Sequence, residues 1–488
     1  MSFLQKTKNW LLSWDNFRHV YLFLCLIYFM PSSFDVEYIP LWICFGWGSI
    51  IIAVDFFTER KMFKQNYWYI LFAMGVVYAV SILLNFEHQF ERGVYNWVYL
   101  VTSFFVLYPI DPDQAKEDTI KNLIKFNKIL LGTVFVASFI SVIMFVFQVG
   151  YIIPSGDASA RQGFVASRLF GIYTSPNVGS IFGVLSIVGS IINNLTERKK
   201  WYSFTIIGWI NVAIQYLFFL LASSRGTQLT ITVFVILCTL FIAIPRMKQQ
   251  SEPKAKQWGR LFIQLGVFLI LLTGGVGTFK DGLGYVPGAI RGVRDIGKTE
   301  EVRKEESLKR EEVEKVIIQH SPDDAEVSSG RFTIWTAAID VIKQFPLFGA
   351  TDAYFYRDGI EVSQQIDESK LSTLDKNELK RAHGNMHNVY IQTLIMSGII
   401  GFLVMAVFFI LHLKDNILYL LSYKSYTVDY QIVAIMFFLL LSLFAEDFVE
   451  SHIIFKVKDV VAIVFWYYLG LLQHFRKNKL FTDGVVKE

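Results

Sequence analysis

Long apolar runs alternate with short charged connectors along the 488-residue chain. About twelve runs are long enough, or nearly so, to cross roughly 30 Å of hydrocarbon at 1.5 Å per residue. They lie at approximately 18–34, 39–57, 67–86, 93–110, 129–152, 173–193, 203–222, 226–245, 260–279, 387–413, 430–446 and 453–473, the first and eleventh fitting least well. The pattern predicts an all-α integral membrane protein: transmembrane helices 1–9 within residues 1–279, a large polar loop at 280–386, helices 10–12 within 387–473, and a tail at 474–488.

Composition agrees, because 53% of the chain is hydrophobic and only 18% is charged. That balance excludes an ordinary soluble protein. Lys6 and Lys8 precede the first apolar run, but no small-residue cleavage site follows, so this run reads as a retained span and not a signal peptide. Cys25, Cys44 and Cys238 all fall inside apolar runs, which implies no disulfide framework and no zinc knuckle.

Charge is informative once sorted by loop, since Lys and Arg resist translocation. One set of alternate connections carries Arg60, Lys61 and Lys64, then Lys116 to Lys128, Arg198 to Lys200, Arg246 to Arg260, and Lys414 with Lys424. Both termini share that character. The other short loops hold only Arg92, Arg161, Arg168 and Arg225, with carboxylates such as Glu87, Glu446, Asp447 and Glu450. Both termini are therefore expected in the cytoplasm and the 280–386 loop outside.

Within that loop, Arg294 to Lys315 alternates Glu, Lys and Arg densely, which suits either a solvated helix or a linker. After the turn-like Ser321-Pro322-Asp323-Asp324, the segment Arg331–Phe345 sets Phe332, Trp335, Ile339 and Ile342 at helical spacing and stops at Pro346. This predicts an amphipathic helix on the outer membrane face or over a cavity. The chain has no nucleotide-binding loop, no dinucleotide fingerprint and no nucleic-acid-binding motif.

Polar residues on the outer side are the candidates for chemistry. Arg225 stands in Ser223-Ser224-Arg225-Gly226-Thr227, a short turn between two spans. A guanidinium near hydrocarbon is costly unless it meets an anion, and the helix beginning there adds its own dipole; the plain alternative is an Arg snorkelling to lipid phosphates. Arg161 and Arg168 precede Tyr173-Thr174-Ser175-Pro176-Asn177, where Asn177 serves a site or simply caps a helix. His383, His387 and Asn388 head a span carrying Gly398 and Gly401, glycines that would let a neighbouring helix approach. His387 suits a general base or a plain interfacial role. The i, i+4 spacing of the two histidines also admits a metal pair, but Gly384 and the want of a third ligand argue against it. Glu446, Asp447 and Glu450 would orient a sugar or position a base, or merely mark a tolerated acidic loop.

Three stretches together resemble the bacterial O-antigen ligase and Wzy-type polysaccharide polymerase superfamily. They are Ser224-Arg225-Gly226; Gly330-Arg331-Phe332-Thr333-Ile334-Trp335 running on to Pro346-Leu347-Phe348-Gly349; and His387-Asn388 followed after nine residues by Gly398-Ile399-Ile400-Gly401. The resemblance covers about 173–413. It implies a GT-C-type glycosyltransferase of the bacterial cytoplasmic membrane that works without metal or other cofactor. Its donor would be a glycan on undecaprenyl pyrophosphate. Arg225 and Arg331, with Arg161 and Arg168, would bind the pyrophosphate, and His387 would deprotonate the acceptor. Asn388, Asn177, Glu446 and Asp447 would support the site. The run from Arg294 to Lys315 aligns with no family motif; shaping the acceptor site and contacting a chain-length regulator are both open to it. Polymerase and ligase share these motifs, the polymerase being the first expectation. A flippase for lipid-linked glycans is the rival from another class. Against it stand the outer-side clustering of Arg and His and the lack of an inverted repeat.

Overall fold

A computed structural model describes residues 3–29, 39–155, 158–248, 253–294, 316–319, 330–356, 365–423 and 427–478. Almost all of the run from Arg294 to Lys315, and the whole of the Ser321–Asp324 turn, lie outside the described residues.

Every expected span overlaps a helix, and the protein is an all-α membrane protein. Seven helices among the described residues are long and apolar enough to cross a membrane, and Trp68–Leu84 and Ile206–Ala222 are shorter apolar helices. Chain reversals are built from caps. Thr205, Ser224, Asn388 and Thr427 each place a side-chain oxygen on a first-turn N–H, satisfying donors that a helix start otherwise leaves open. Ser223 closes Ile206–Ala222 in the left-handed region (φ 53°), and the next residue, Ser224, opens Arg225–Cys238. The two-serine turn is thus as tight as the sequence suggests.

The eleventh expected span, fitted poorly by length, proves to be at the centre. Val428–Glu446 is buried along nearly its whole circumference, as is Val460–Asn478 beside it. A helix apolar on every side is what a bundle centre requires. By contrast Arg225–Met247 and Lys254–Leu272 bury little and form the periphery.

Three boundaries differ from expectation. Lys116–Val146 ends six residues before the predicted limit of 152, because the chain leaves it for a three-stranded antiparallel sheet, β1 (Gly150–Ser155), β2 (Ala158–Val165) and β3 (Arg168–Gly171). The last helix starts at Val460, not 453, because residues 447–459 fold as a buried connection under His452 and Asp447. The Val389–Ser422 helix is broken at Gly398 (φ 64°, ψ −171°).

That break corrects the expected role of Gly398, while Gly401 does face Met74 of the neighbouring Trp68–Leu84 helix. At the break, Ile399 N–H donates to Pro346 O at 2.9 Å and Ile400 N–H to Leu347 O at 3.2 Å, while Ala350 N–H donates to Ile395 O at 2.6 Å. A Cβ on Gly398 would fall 2.2 Å from Leu347 O, and one on Gly349 2.5 Å from Ile395 O. Gly398 therefore receives the Pro346–Gly349 loop instead of a neighbouring helix, and two motifs that read separately in sequence form one interlock. The loop helix expected from Arg331 is present as Arg331–Ile342, packed against Thr373–Ala382 through Ile334, Ala337, Ala338 and Val341. Phe332 and Ile339 stay exposed on its other face.

Candidate active site

The site assembles at one end of the bundle around Glu450, in the connection between the last two helices. Its carboxylate accepts from three elements far apart in sequence: Arg331 Nη2 at 2.7 Å, Asn177 Nδ2 at 3.0 Å, and His387 Nδ1 at 3.1 Å. The Glu450 side chain is only 6% exposed. Burial alone would push its carboxyl up. The hydrogen bond from His387, then the charges of Arg331 and His452, override that and hold it well below the ordinary carboxylate range.

Each partner is locally fixed. Gly330 adopts φ 72°, and Arg381 Nη2 donates to its carbonyl at 2.8 Å; a Cβ there would fall 2.5 Å from the same guanidinium. Only glycine satisfies both demands, and it launches Arg331 as the first helical residue, aimed at Glu450. Asn177 follows the Ser175 cap; its amide bridges Glu450 and Arg168, whose Nη2 donates to Asn177 Oδ1 at 2.9 Å. Arg168 also donates Nε–H to Ala222 O at 2.8 Å.

His387 precedes the helix cap at φ 48°. Its neighbour Asn388 is the cap, accepting from Tyr390 and Ile391 N–H and donating to Phe448 O, while Ser451 Oγ accepts from Asn388 N–H. The helix head is thereby tied to the segment that carries Glu450. With an ionised carboxylate as its partner, His387 Nδ1 is the protonated nitrogen, and Nε2 is left with its lone pair on a side chain that is 34% exposed. An imidazole so held accepts a proton from whatever approaches Nε2.

His383 does not share a helical face with His387. It is the left-handed cap (φ 45°) of Thr373–Ala382, separated from His387 by the Gly384 turn, and among the described residues no grouping of His, Cys, Asp and Glu is arranged to hold a metal.

The remaining expected residues distribute unevenly. Glu446 is buried, accepts from Thr230 Oγ1 at 2.8 Å and packs on the first turn of Arg225–Cys238, where a Cβ on Gly226 would lie 3.1 Å from its Oε1. The positive end of that helix thus faces the protein's own carboxylates. Asp447 is consumed by the connection, accepting from His452 and Ile453 N–H. Arg225 stands apart from the hydrogen bonds to Glu450. It is exposed and lines a separate pocket with Lys280, Ser223 and Gln228. Arg161 lies on β2 opposite Ile152, exposed, its guanidinium 5.9 Å from the Phe170 ring centroid. Glu450 was one of three carboxylates in an acidic stretch with nothing to single it out, and Lys280 marked only a loop boundary; neither spacing nor periodicity distinguishes them.

The fold and this cluster define a multi-pass helical membrane protein with an Arg and a His gathered on a buried Glu at one end. Residues 210–406 match the family model described as O-antigen ligase, a stretch that includes Arg225, Arg331, His387 and the Gly398 interlock. That stretch, less than half of the chain, is what the protein shares with the O-antigen ligase family. No curated protein matches the chain.

Proposed function

We propose that the protein is a polysaccharide polymerase, transferring a glycan from undecaprenyl pyrophosphate onto a lipid-linked repeat unit at the outer face of the cytoplasmic membrane. The observation that carries this reading is the His387–Glu450–Arg331 cluster inside the stretch matched by the family model. An acceptor hydroxyl oxygen forms the new bond to the donor's anomeric carbon as the bond from that carbon to pyrophosphate breaks. The hydroxyl proton passes to His387 Nε2, and the bonding pair leaves with the pyrophosphate, inverting the anomeric centre. Arg225 and Arg168, with Arg331 beside the base, supply the positive field for the departing charge. Guanidinium groups serve here where other enzymes use a metal ion.

Purified protein given a defined undecaprenyl-pyrophosphate repeat unit in detergent should form longer lipid-linked glycans. Detergent has no two sides, so product there excludes a flippase. No lengthening, together with transfer to a chemically different acceptor, would turn the reading to a ligase. The Lys and Arg asymmetry of the loops supports both termini being cytoplasmic and the 280–386 domain being outside. Cysteine at the exposed Ser369 should then react with an impermeant maleimide in intact cells. Reaction only after lysis would reverse the orientation.

A further inference from the structure

His387 stands in a backbone conformation that has to be held. Its φ of 48° lies in the left-handed region, which a residue other than glycine occupies at a cost unless its surroundings enforce it. Side chains fix the backbone on either side. Met386 N–H donates to Gln392 Oε1 at 2.9 Å, His387 N–H to Asn385 Oδ1 at 3.0 Å, and Asn388 N–H to Ser451 Oγ at 2.9 Å. Those acceptors belong to the turn, to the helix it opens, or to the segment that carries Glu450.

A further bond reaches the turn from the 280–386 loop. Trp335 Nε1–H donates to Met386 O at 2.9 Å, across 51 residues. Met386 is buried, so water cannot take the place of that donor. Trp335 follows Arg331 by one helical turn and shares its side of the Arg331–Ile342 helix. From that one helix Arg331 holds Glu450 and Trp335 holds the carbonyl before His387. Past its end, Pro346 O and Leu347 O accept from Ile399 and Ile400 N–H at the break of the helix that His387 precedes. The Arg331–Ile342 helix is thereby fastened to the carboxylate, to the turn of the base and to the broken helix, as a splint along all three.

We propose that Trp335 is a positioning residue: its indole N–H, acting through the Met386 carbonyl, holds the left-handed turn so that the His387 ring stays on Glu450 with Nε2 open. The effect on rate rests on the glycosyl-transfer reading; the effect on the turn does not.

The test replaces Trp335 with its sulfur isostere benzothienylalanine, which keeps the fused ring and removes the N–H, and uses Trp335→Phe as a second variant. Amide hydrogen exchange of the full chain in nanodiscs, followed by mass spectrometry, reads the turn. Exchange at residues 385–389 should quicken about three- to tenfold, the range of one lost hydrogen bond, with the rest of the chain and the melting temperature little changed. With a defined lipid-linked repeat unit, kcat should fall by a similar factor at an unaltered KM, and 5-fluorotryptophan, which retains the N–H, should behave as the wild type does. Unchanged exchange at 385–389 would overturn the inference whether or not the protein transfers glycans. So would quickened exchange with an unchanged kcat, because the turn would then not govern the base. A lowered melting temperature with exchange raised along the whole helix would make Trp335 a packing residue only. A wild type that transfers no glycan would sink the function and the catalytic half of the inference together, and needs no variant to be recognised.

Discussion

Two histidines in this protein make the same bond in different surroundings. His387 places Nδ1 3.1 Å from Glu450, and His452 places Nδ1 2.8 Å from Asp459, all on the same end of the bundle. The His387 side chain is 34% exposed and sits in a left-handed turn beside a helix head, whereas that of His452 is 5% exposed inside the 447–459 connection. Burial works against a charged His452, but Asp459, with a smaller contribution from Asp447, outweighs it and raises the imidazole to about 9. At neutral pH His452 is therefore a fixed cation that braces its loop. A carboxylate partner orients an imidazole in both cases; only an open Nε2 makes the arrangement suitable for catalysis.

The sharpest break of this comparison is His387→Ala, which should lower glycan transfer by about 10²–10⁴ while membrane insertion and donor binding persist, because the lost interaction belongs to the transition state. Polymer formed at the wild-type rate would remove His387 from the chemistry. Glu450→Gln comes next, with a loss of roughly 10²-fold expected. The amide offers a donor to Nδ1, which favours the wrong tautomer, and strips Arg331 of its counter-ion. Unchanged kcat in this variant would mean that the carboxylate only packs.

Arg225→Lys should act more mildly and on binding, raising the donor's KM with kcat little altered, since a single ammonium cannot reproduce the planar fork of a guanidinium. A KM like that of the wild type would return Arg225 to the role of a snorkelling side chain. The smallest effect on activity is expected from His452→Gln, less than about threefold at neutral pH, the range of an interaction remote from the chemistry. Its signature is in stability instead. The folded imidazole is raised above its ordinary value of 6.5, so its stabilisation is complete below that pH and fades as pH rises through about 9. The melting temperature in detergent should therefore fall between pH 7 and pH 9.5 more in the wild type than in the variant. Parallel curves would show that the His452–Asp459 pair contributes nothing to folding.

The interlock at Gly398 shows where reading the chain in one dimension runs short. Gly398 and Gly401 are spaced as helix-packing glycines, and Pro346-Leu347-Phe348-Gly349 looks like the end of an amphipathic helix. Only in three dimensions do Pro346 O and Leu347 O accept the N–H groups freed by the broken helix. The same holds for the Phe332, Trp335, Ile339 and Ile342 stripe. The periodicity is real and the helix is there, but the face packed on the neighbouring helix is made by Ile334, Ala337, Ala338 and Val341.

The sequence by itself determined the helices, their number to a close approximation, and the tight Ser223-Ser224 reversal, and it displayed the motif residues Arg225, Arg331 and His387. These follow from local rules: hydrocarbon demands about 20 apolar residues per crossing with every backbone group satisfied inside the helix, and caps act within a few residues. Tertiary structure decided which charges meet. Glu450 joins His387 across 63 residues, Arg331 across 119 and Asn177 across 273, and it puts Arg225 with Lys280 instead. Such meetings depend on the order and rotation of helices around the buried Val428–Glu446 and Val460–Asn478 pair, and hydrophobic periodicity carries no information about which neighbour a polar residue will face.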